Sequence, residues 1–253
     1  MSYKPIIYKI NSNNFIEKIC QFVESWYGIN INNKMEEINF ENIFNIKISN
    51  NINKMLNLIF TLNHSSMHGK KLYIYNGFNY IFKCRSKTQC MIYDKKLDTL
   101  FLFQEGNQNY YFGIKHENLL ENDPPIYKII ICKSNVEYYE YFNLIDFLVY
   151  HICTRNGKIG MKSYMLFVEN NMEAELKEFE KIFEYKRQFN NFIIFEKENV
   201  VASIEYENII IGNHVKKPIL IVNKWKNDDK ETENKIINIF NWDGWSDNGR
   251  YRL

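Results

Sequence analysis

Two histidines of this sequence have the spacing of a metal site. His64 and His68 are four residues apart, so on a helix their imidazole rings would lie on one face, as in some zinc sites. The acidic residue that such motifs carry between the histidines is missing, because the intervening residues are Ser65-Ser66-Met67. With Gly69, this segment is typical of a loop after a helix. We therefore predict surface histidines and no metal site.

The cysteines offer little evidence for nucleophilic catalysis. Cys84 and Cys90 flank two basic residues, a setting that favours a reactive thiolate where the thiol is exposed. Cys20 and Cys132 lie in apolar patterns and are predicted to be small core residues. The five cysteines are odd in number and lack the paired short spacings of zinc sites, which favours reduced thiols.

Three carboxylates, Glu117, Glu121 and Asp123, could form an acid-base set, but their position in a turn favours a solvated acidic surface. Phosphate chemistry is disfavoured because neither GxGxxG nor GxxxxGK[ST] occurs. We predict no cofactor and no enzymatic activity.

Composition and charge limit the classes of partner. A hydrophobic fraction of 45% is enough to bury a core, while the net charge of +2 predicts no strong attraction to nucleic acid. No apolar run approaches the roughly 18 residues of a membrane span, and no signal peptide is visible. These features predict a soluble, cytoplasmic protein with neither a membrane nor a nucleic-acid partner.

Aromatic residues are unusually frequent. They could be stacking platforms for single-stranded nucleic acid, but no clear Lys or Arg stripe accompanies them, so core and interface packing is favoured. Exposed tyrosines among them would favour a protein-binding module. The set comprises Tyr73, Tyr75, Tyr80, Tyr110, Tyr111, Phe112, Tyr138, Tyr139 and Tyr141.

Periodicity predicts an α+β protein. Helical spacing of apolar residues occurs over Asn14 to Tyr27, around Ile52 to Phe60 and over Asn143 to Ile152. Short aromatic and β-branched runs between them predict a mainly antiparallel sheet flanked by helices. These runs are Leu72 to Tyr75, Tyr80 to Cys84, Cys90 to Tyr93, Thr99 to Phe103, Tyr110 to Ile114 and Tyr127 to Cys132.

The polar break at Arg155-Asn156-Gly157-Lys158 divides the chain into residues 1–157 and a C-terminal α+β subdomain of residues 158–253. The two parts could also pack as one unit. The predicted elements of the second part are strand Tyr164 to Val168, helix Met172 to Tyr185, strands Phe192 to Glu196, Val200 to Tyr206, Ile209 to Ile211 and Ile219 to Val222, and helix Glu231 to Phe240.

Two turns carry the most particular sequence signals. Asp123-Pro124-Pro125 predicts a rigid turn into the next strand, because each proline fixes φ and restricts the residue before it, while Asp can bond nearby backbone. Glu105, Asn107 and Gln108 suit a strand-to-strand turn and could also face a ligand or partner. For both turns a structural role is favoured over a direct functional one.

The order of these features resembles the SUKH superfamily of fungal cell-wall-assembly regulators and bacterial immunity proteins. Its bacterial members show a strand ending in a Glu-Asn-Gln-like turn, an aromatic-Gly-Ile strand, and Asp-Pro-Pro before an aromatic. The matching residues are Phe101 to Phe103, Glu105 with Asn107 and Gln108, Phe112-Gly113-Ile114, and Asp123-Pro124-Pro125 with Tyr127.

The resemblance extends over roughly Phe15 to Ile152. Trp26-Tyr27-Gly28 is similar to the end of the first helix of such proteins, and Leu144 to Leu148 to the next helix. The chain departs from the pattern between Ile48 and Phe60, where the Leu-Pro helix start and the final Gly are absent.

The resemblance implies a SUKH-like domain with a C-terminal α+β extension, acting as an immunity-type protein that neutralises a cognate protein toxin by direct contact. The alternative is an intracellular regulatory scaffold that binds endogenous partners. The predicted binding residues are Glu105, Asn107, Gln108, Tyr111, Glu117, Asp123 and Tyr127, and the predicted structural residues are Trp26, Gly28, Gly113, Pro124 and Pro125.

Overall fold

The α+β class with mainly antiparallel sheets is confirmed, and the chain forms two compact units. The computed structural model describes residues 6–27, 31, 35, 37–64, 66–67, 70–71, 78–79, 92–105, 110–131, 135–154, 161–167, 172–189, 192–198, 200–205, 210–211, 214–215, 219–225 and 230–241. The central unit is Ile10–Ile152, and the flanking unit combines Met1–Lys9 with Cys153–Leu253. Within the described ranges, none of the helices has the length and apolarity needed to cross a bilayer.

The central unit begins with three helices and ends with a fourth. These are α1 (Phe15–Tyr27), α2 (Phe40–Phe44), α3 (Asn50–His64) and α4 (Leu144–Val149), which continues as the π-helical turn Tyr150–Thr154. The predicted first helix is confirmed, because its apolar residues recur every three or four positions and are buried. Trp26, predicted to be structural, is buried and stacks on Phe22 with ring centroids 5.2 Å apart.

Asparagine side chains order the segment before α3. The amide of Asn57 accepts a hydrogen bond from Ile38 N (2.8 Å) and donates one to Ile38 O (2.9 Å). Asn53 Oδ1 accepts another from Phe40 N at 3.1 Å. These bonds satisfy backbone groups that lie outside regular structure, which explains why a weakly patterned segment packs here.

The strands of the central unit form an antiparallel sheet and a small separate hairpin. The hairpin is β1 (Ser66–Met67) with β2 (Lys70–Lys71), and the sheet strands are β3 (Phe78–Asn79), β4 (Ile92–Asp94), β5 (Thr99–Glu105), β6 (Tyr110–Lys115), β7 (Pro125–Ile131) and β8 (Val136–Asn143). In the described part the sheet order is β3-β5-β6-β7-β8, and β4 pairs with β5. The predicted strands Leu72 to Tyr75 and Tyr80 to Cys84 lie outside the described residues.

One face of this sheet packs on α4. Leu100, Phe112 and Ile126 are buried there, and the ring of Phe112 lies 5.5 Å from that of Phe147. Since successive side chains of a strand point to opposite faces, Tyr111, Lys115 and Tyr127 belong to the other face.

Gly113 is required at the centre of the sheet. A β-bulge in β5 shifts the pairing between Phe101 and Phe103, and Gly113 lies opposite Phe101. A Cβ atom at Gly113 would lie 2.7 Å from the carbonyl oxygen of Leu100, which is closer than real contacts allow. The structural role predicted for Gly113 therefore has a steric cause.

The flanking unit contains a five-stranded antiparallel sheet with two helices. Its elements are β9 (Met161–Phe167), α5 (Glu173–Glu180), β10 (Tyr185–Phe189), β11 (Phe192–Lys197), β12 (Val200–Glu205), the hairpin β13 (Ile210–Ile211) with β14 (His214–Val215), β15 (Ile219–Trp225) and α6 (Lys230–Phe240). The strand order is β10-β11-β12-β15-β9. Phe179 of α5 and Ile236 of α6 join Phe195 and Ala202 in one buried core.

The N-terminal turn Ile7–Lys9 is part of the flanking unit. Ile7 is buried, and its carbonyl oxygen accepts a hydrogen bond from Arg187 Nη1 of β10 at 3.3 Å. The carboxylate of Glu196, on β11, accepts hydrogen bonds from the backbone N–H groups of Ile6 (2.6 Å) and Tyr8 (3.0 Å).

Two of the longer strands were not predicted. No element was predicted over β8, and the helix predicted to reach Tyr185 ends at Glu180, so that Tyr185 begins β10. That part of the helix prediction is wrong. Antiparallel pairing with β11 over five residues decides the conformation of Tyr185–Phe189.

Candidate binding surface

Two tyrosines on neighbouring strands meet on the face of the central sheet opposite α4. Tyr127 of β7 and Tyr138 of β8 are half-buried, and their rings form a T-shaped pair with centroids 6.2 Å apart. Their positions follow from the strand register, in which Tyr138 pairs with Ile129 and Tyr127 with Glu140. The pair is therefore built by the pleat of the sheet rather than by a loop.

A lysine lies over both rings. Lys115 Nζ is 4.4 Å from the ring centroid of Tyr127 and 5.1 Å from that of Tyr138, within the range of cation–π attraction. The same ammonium group is 3.9 Å from Glu117 Oε1. The ammonium group of Lys115 thus contacts two tyrosine rings and a carboxylate at the same time.

The hydroxyl group of Tyr138 is fixed by Thr99, the first residue of β5, and by Leu97 in the turn before that strand. It lies 3.1 Å from Thr99 Oγ1 and donates to the carbonyl oxygen of Leu97 at 3.3 Å. Thr99 Oγ1 in turn donates to Leu97 O at 2.8 Å. These bonds hold the ring of Tyr138 in one orientation.

Tyr111 completes the arrangement. It is half-buried, lies opposite Ile129 in the β6–β7 pairing, and packs edge-on against Phe101 with centroids 5.6 Å apart. We define the tyrosine face as Tyr111, Lys115, Tyr127 and Tyr138. Two of these residues, Tyr111 and Tyr127, were predicted as binding residues.

Acidic residues surround one side of the tyrosine face. Glu117, Glu121 and Glu140 are exposed, and we call these three the acidic rim. The pKa of Tyr127 is raised, first by burial and then by the charges of Glu140, Glu117 and Glu121. The phenol hydroxyl of Tyr127 therefore lies in a negative electrostatic potential.

A second polar cluster lies at the β4–β5 turn. The hydroxyl of Tyr93 hydrogen-bonds Asp98 Oδ1 and is 2.8 Å from His116 Nδ1, which is itself 3.6 Å from Asp98 Oδ1. Burial, the hydrogen bond to Asp98 and the charge of Asp98 raise the pKa of Tyr93 to about 12. A phenol with a raised pKa stays protonated near neutral pH, so this cluster is better suited to fixing the turn than to proton abstraction.

Asp123 has the structural role that the sequence favours for its turn, but its backbone partner lies 22 residues further along, in α4. Its Oδ1 atom accepts a hydrogen bond from the backbone N–H of Ile145 at 2.9 Å, and Pro124 O accepts one from Leu144 N at 2.9 Å. Both donors belong to the first turn of α4, whose N–H groups have no partner within the helix. Pro125 is the first residue of β7, so the predicted turn into the next strand is confirmed.

Only some of the other predicted residues lie in the part of the chain that the structure describes. The backbone of Glu105 ends β5 and pairs with Phe78 of β3. Asn107, Gln108 and Gly28 lie outside the described residues. The sequence prediction did not include Lys115 as a site residue, although Lys115 directly follows the motif residue Ile114. It placed Tyr138 only in a general aromatic set.

In the part of the chain described here, no three His, Cys, Asp or Glu side chains are grouped to hold a metal ion. His68 lies outside the described residues.

No protein-family model, curated protein or solved structure matches this chain.

Proposed function

We propose that this protein is a non-enzymatic, immunity-type binding protein, which neutralises a cognate protein toxin in the cytoplasm by direct contact. The observation that carries the proposal is the tyrosine face. Tyrosine is enriched at protein interfaces, where it often supplies a large part of the binding energy.

The tyrosine face is suited to binding because its rings are already ordered. Tyr138 is held by Thr99 and Leu97, and Tyr127 is held between Tyr138 and Lys115. Side chains that are fixed before binding lose less conformational entropy on association, so more of the contact energy appears as affinity. The polar atoms beside the rings can form hydrogen bonds at the rim of an interface.

The sequence resemblance supports the toxin as partner. Immunity-type function is what the order of Phe112-Gly113-Ile114 and Asp123-Pro124-Pro125 implies. In this chain Gly113 permits close approach of two strands, and Asp123 anchors a helix. These motif residues would therefore maintain the sheet that carries Tyr127, while other residues contact the partner.

Co-purification followed by a toxicity assay tests the proposal. The tagged protein is isolated from its native cells, and any stoichiometric partner is identified by mass spectrometry and expressed alone and together with this protein. We expect the partner to be toxic alone and harmless in co-expression. Repeated recovery of envelope or signalling proteins without toxicity would favour the regulatory scaffold and contradict the proposal.

A matched pair of variants locates the interface. Tyr127→Ala should weaken binding of the toxin by about 30-fold, corresponding to about 2 kcal/mol for a central tyrosine. Tyr8→Ala removes a tyrosine that is 53% exposed on the flanking unit and should leave the affinity unchanged. Thermal unfolding of both variants verifies that they are folded. Equal affinity of the two variants would exclude the tyrosine face as the contact.

A further inference from the structure

We propose that the partner surface that covers the tyrosine face is basic and places arginine side chains beside Lys115, against the tyrosine rings and the acidic rim. This inference rests on the proposed function and specifies the chemistry of the partner. It derives from the charges around Tyr127, although the whole chain has a formal net charge of +2.

The acidic rim is close to the rings and open to solvent. Glu140 lies directly opposite Tyr127 in the β7–β8 pairing. The side chain of Glu117 is 71% exposed although it lies 3.9 Å from Lys115 Nζ. Glu121 is exposed and accepts a hydrogen bond from Asn118 Nδ2 at 2.8 Å. Three carboxylates thus lie within electrostatic range of Tyr127, whose ring contacts one ammonium group, and the patch has an excess of negative charge.

In the β4–β5 turn, by contrast, positive and negative charges are equal in number. Lys95 and Lys96 balance Asp94 and Asp98 there. The excess of negative charge therefore belongs to the Tyr127 side of the surface. The raised pKa of Tyr127, to which all three rim carboxylates contribute, is consistent with this location.

Lys115 indicates which group of the partner fits. Its ammonium group lies over the rings of Tyr127 and Tyr138 while it approaches Glu117, so one cation contacts aromatic rings and a carboxylate together. A guanidinium group makes the same two contacts more effectively, because it is planar, stacks on aromatic rings and binds carboxylates through two parallel N–H groups. Leu120, 68% exposed between Glu117 and Glu121 in sequence, adds apolar surface for the arginine stem.

The test uses a fluorescent hexa-arginine peptide and the full-length protein, with affinity measured by fluorescence anisotropy. The triple variant Glu117→Gln/Glu121→Gln/Glu140→Gln neutralises the acidic rim. The control triple Glu173→Gln/Glu184→Gln/Glu198→Gln removes the same number of exposed carboxylates from the flanking unit. Both variants have the same net charge, so a difference between them reports location.

We expect the rim variant to bind the peptide about tenfold more weakly than the wild type, since three exposed ion pairs together contribute about that factor. The control triple should bind within about twofold of the wild type, and the difference should shrink above about 0.15 M salt because of screening. No binding by the wild type, or equal loss in both triples, would overturn the inference.

This experiment separates the two proposals. The peptide measurement needs no toxin, so rim-dependent binding together with repeated recovery of non-toxic envelope or signalling proteins would refute the proposed function and leave the basic-ligand surface. Recovery of a toxin whose affinity is the same for the rim variant and the wild type would refute the inference and leave the proposed function.

Discussion

The Oε1 atom of Glu196 accepts a hydrogen bond from the backbone N–H of Ile6 at 2.6 Å, although 190 positions separate the two residues. The Oε2 atom accepts a second bond from Tyr8 N at 3.0 Å. Glu196 is only 2% exposed, so its carboxylate depends on these donors for much of its solvation. This single side chain binds the N-terminal turn to the sheet of the flanking unit.

Glu196→Gln should reduce the free energy of unfolding by about 1–3 kcal/mol, because glutamine keeps one acceptor and turns an amide N–H towards a backbone N–H. Urea unfolding measures the change. Glu198→Gln is the control, since Glu198 is exposed just beyond β11 and should have little effect. Equal stability of the two variants would show that the N-terminal turn does not stabilise the unit.

Gly113→Ala should destabilise the central unit by about 1–3 kcal/mol, because the added methyl group would meet the carbonyl oxygen of Leu100 at 2.7 Å and the strands must separate. Denaturant unfolding detects the loss. Glu140→Ala, at an exposed position of β8, controls for the general effect of alanine in a strand. A Gly113→Ala protein as stable as that control would contradict the steric role of Gly113.

Asp123→Ala should cost about 0.5–2 kcal/mol, the range measured when a helix N-terminus loses its capping side chain. Asp123→Asn should cost less, since the amide oxygen can still accept from Ile145 N. Hydrogen exchange of the Ile145 amide gives a local readout, and it should accelerate most in the alanine variant. Unchanged exchange in both variants would indicate that the bond from Ile145 to Asp123 contributes nothing.

Ionisation of Tyr93 should lower the stability of the protein at alkaline pH. Its folded-state pKa of about 12 lies above the ordinary 10.0, so folding favours the protonated phenol. This contribution is complete below pH 10.0 and is lost as the pH rises through about 12. Tyr93→Phe should therefore lose less stability than the wild type over that window.

Ultraviolet titration of the phenols follows the same group directly. Asp98→Asn should lower the pKa of Tyr93, because it removes the charge that opposes phenolate formation while keeping an acceptor for the hydroxyl. Tyr8→Phe, on the flanking unit, should leave the high titration step in place. A titration curve that does not respond to Asp98→Asn would exclude Asp98 as a cause of the shift.

The helices and strands that could be predicted from the sequence are those whose buried residues recur at regular spacing. Phe15, Ile19 and Phe22 recur at helical spacing, and that face is buried in α1. In β8 the alternation is interrupted, because Tyr141 is an extra residue where the pairing shifts between Ile126 and Tyr127 of β7. A pattern of this kind becomes interpretable only when the partner strand is known.

The residues of the candidate site could likewise be predicted only in part. Tyr111 directly precedes Phe112 of the motif that carries the resemblance, Tyr127 belongs to that motif, and both lie on the tyrosine face. Lys115 and Tyr138 join the tyrosine face through the register of β6, β7 and β8, which local sequence does not specify. The contact of Asp123 with Ile145, 22 residues further along, is equally invisible to local spacing.

The flanking unit is built from two distant segments of the chain, so the ribosome makes its two parts at different times. The turn Ile7–Lys9 emerges before the central unit, and its acceptor Glu196 is made about 190 residues later, which at about 5–20 residues per second is a delay of roughly 10–40 s. All of Ile10–Ile152 is synthesised during this delay. The turn Ile7–Lys9 thus reaches its native contacts only after the whole central unit has been made, and nascent protein interrupted before Glu196 would present that turn to chaperones.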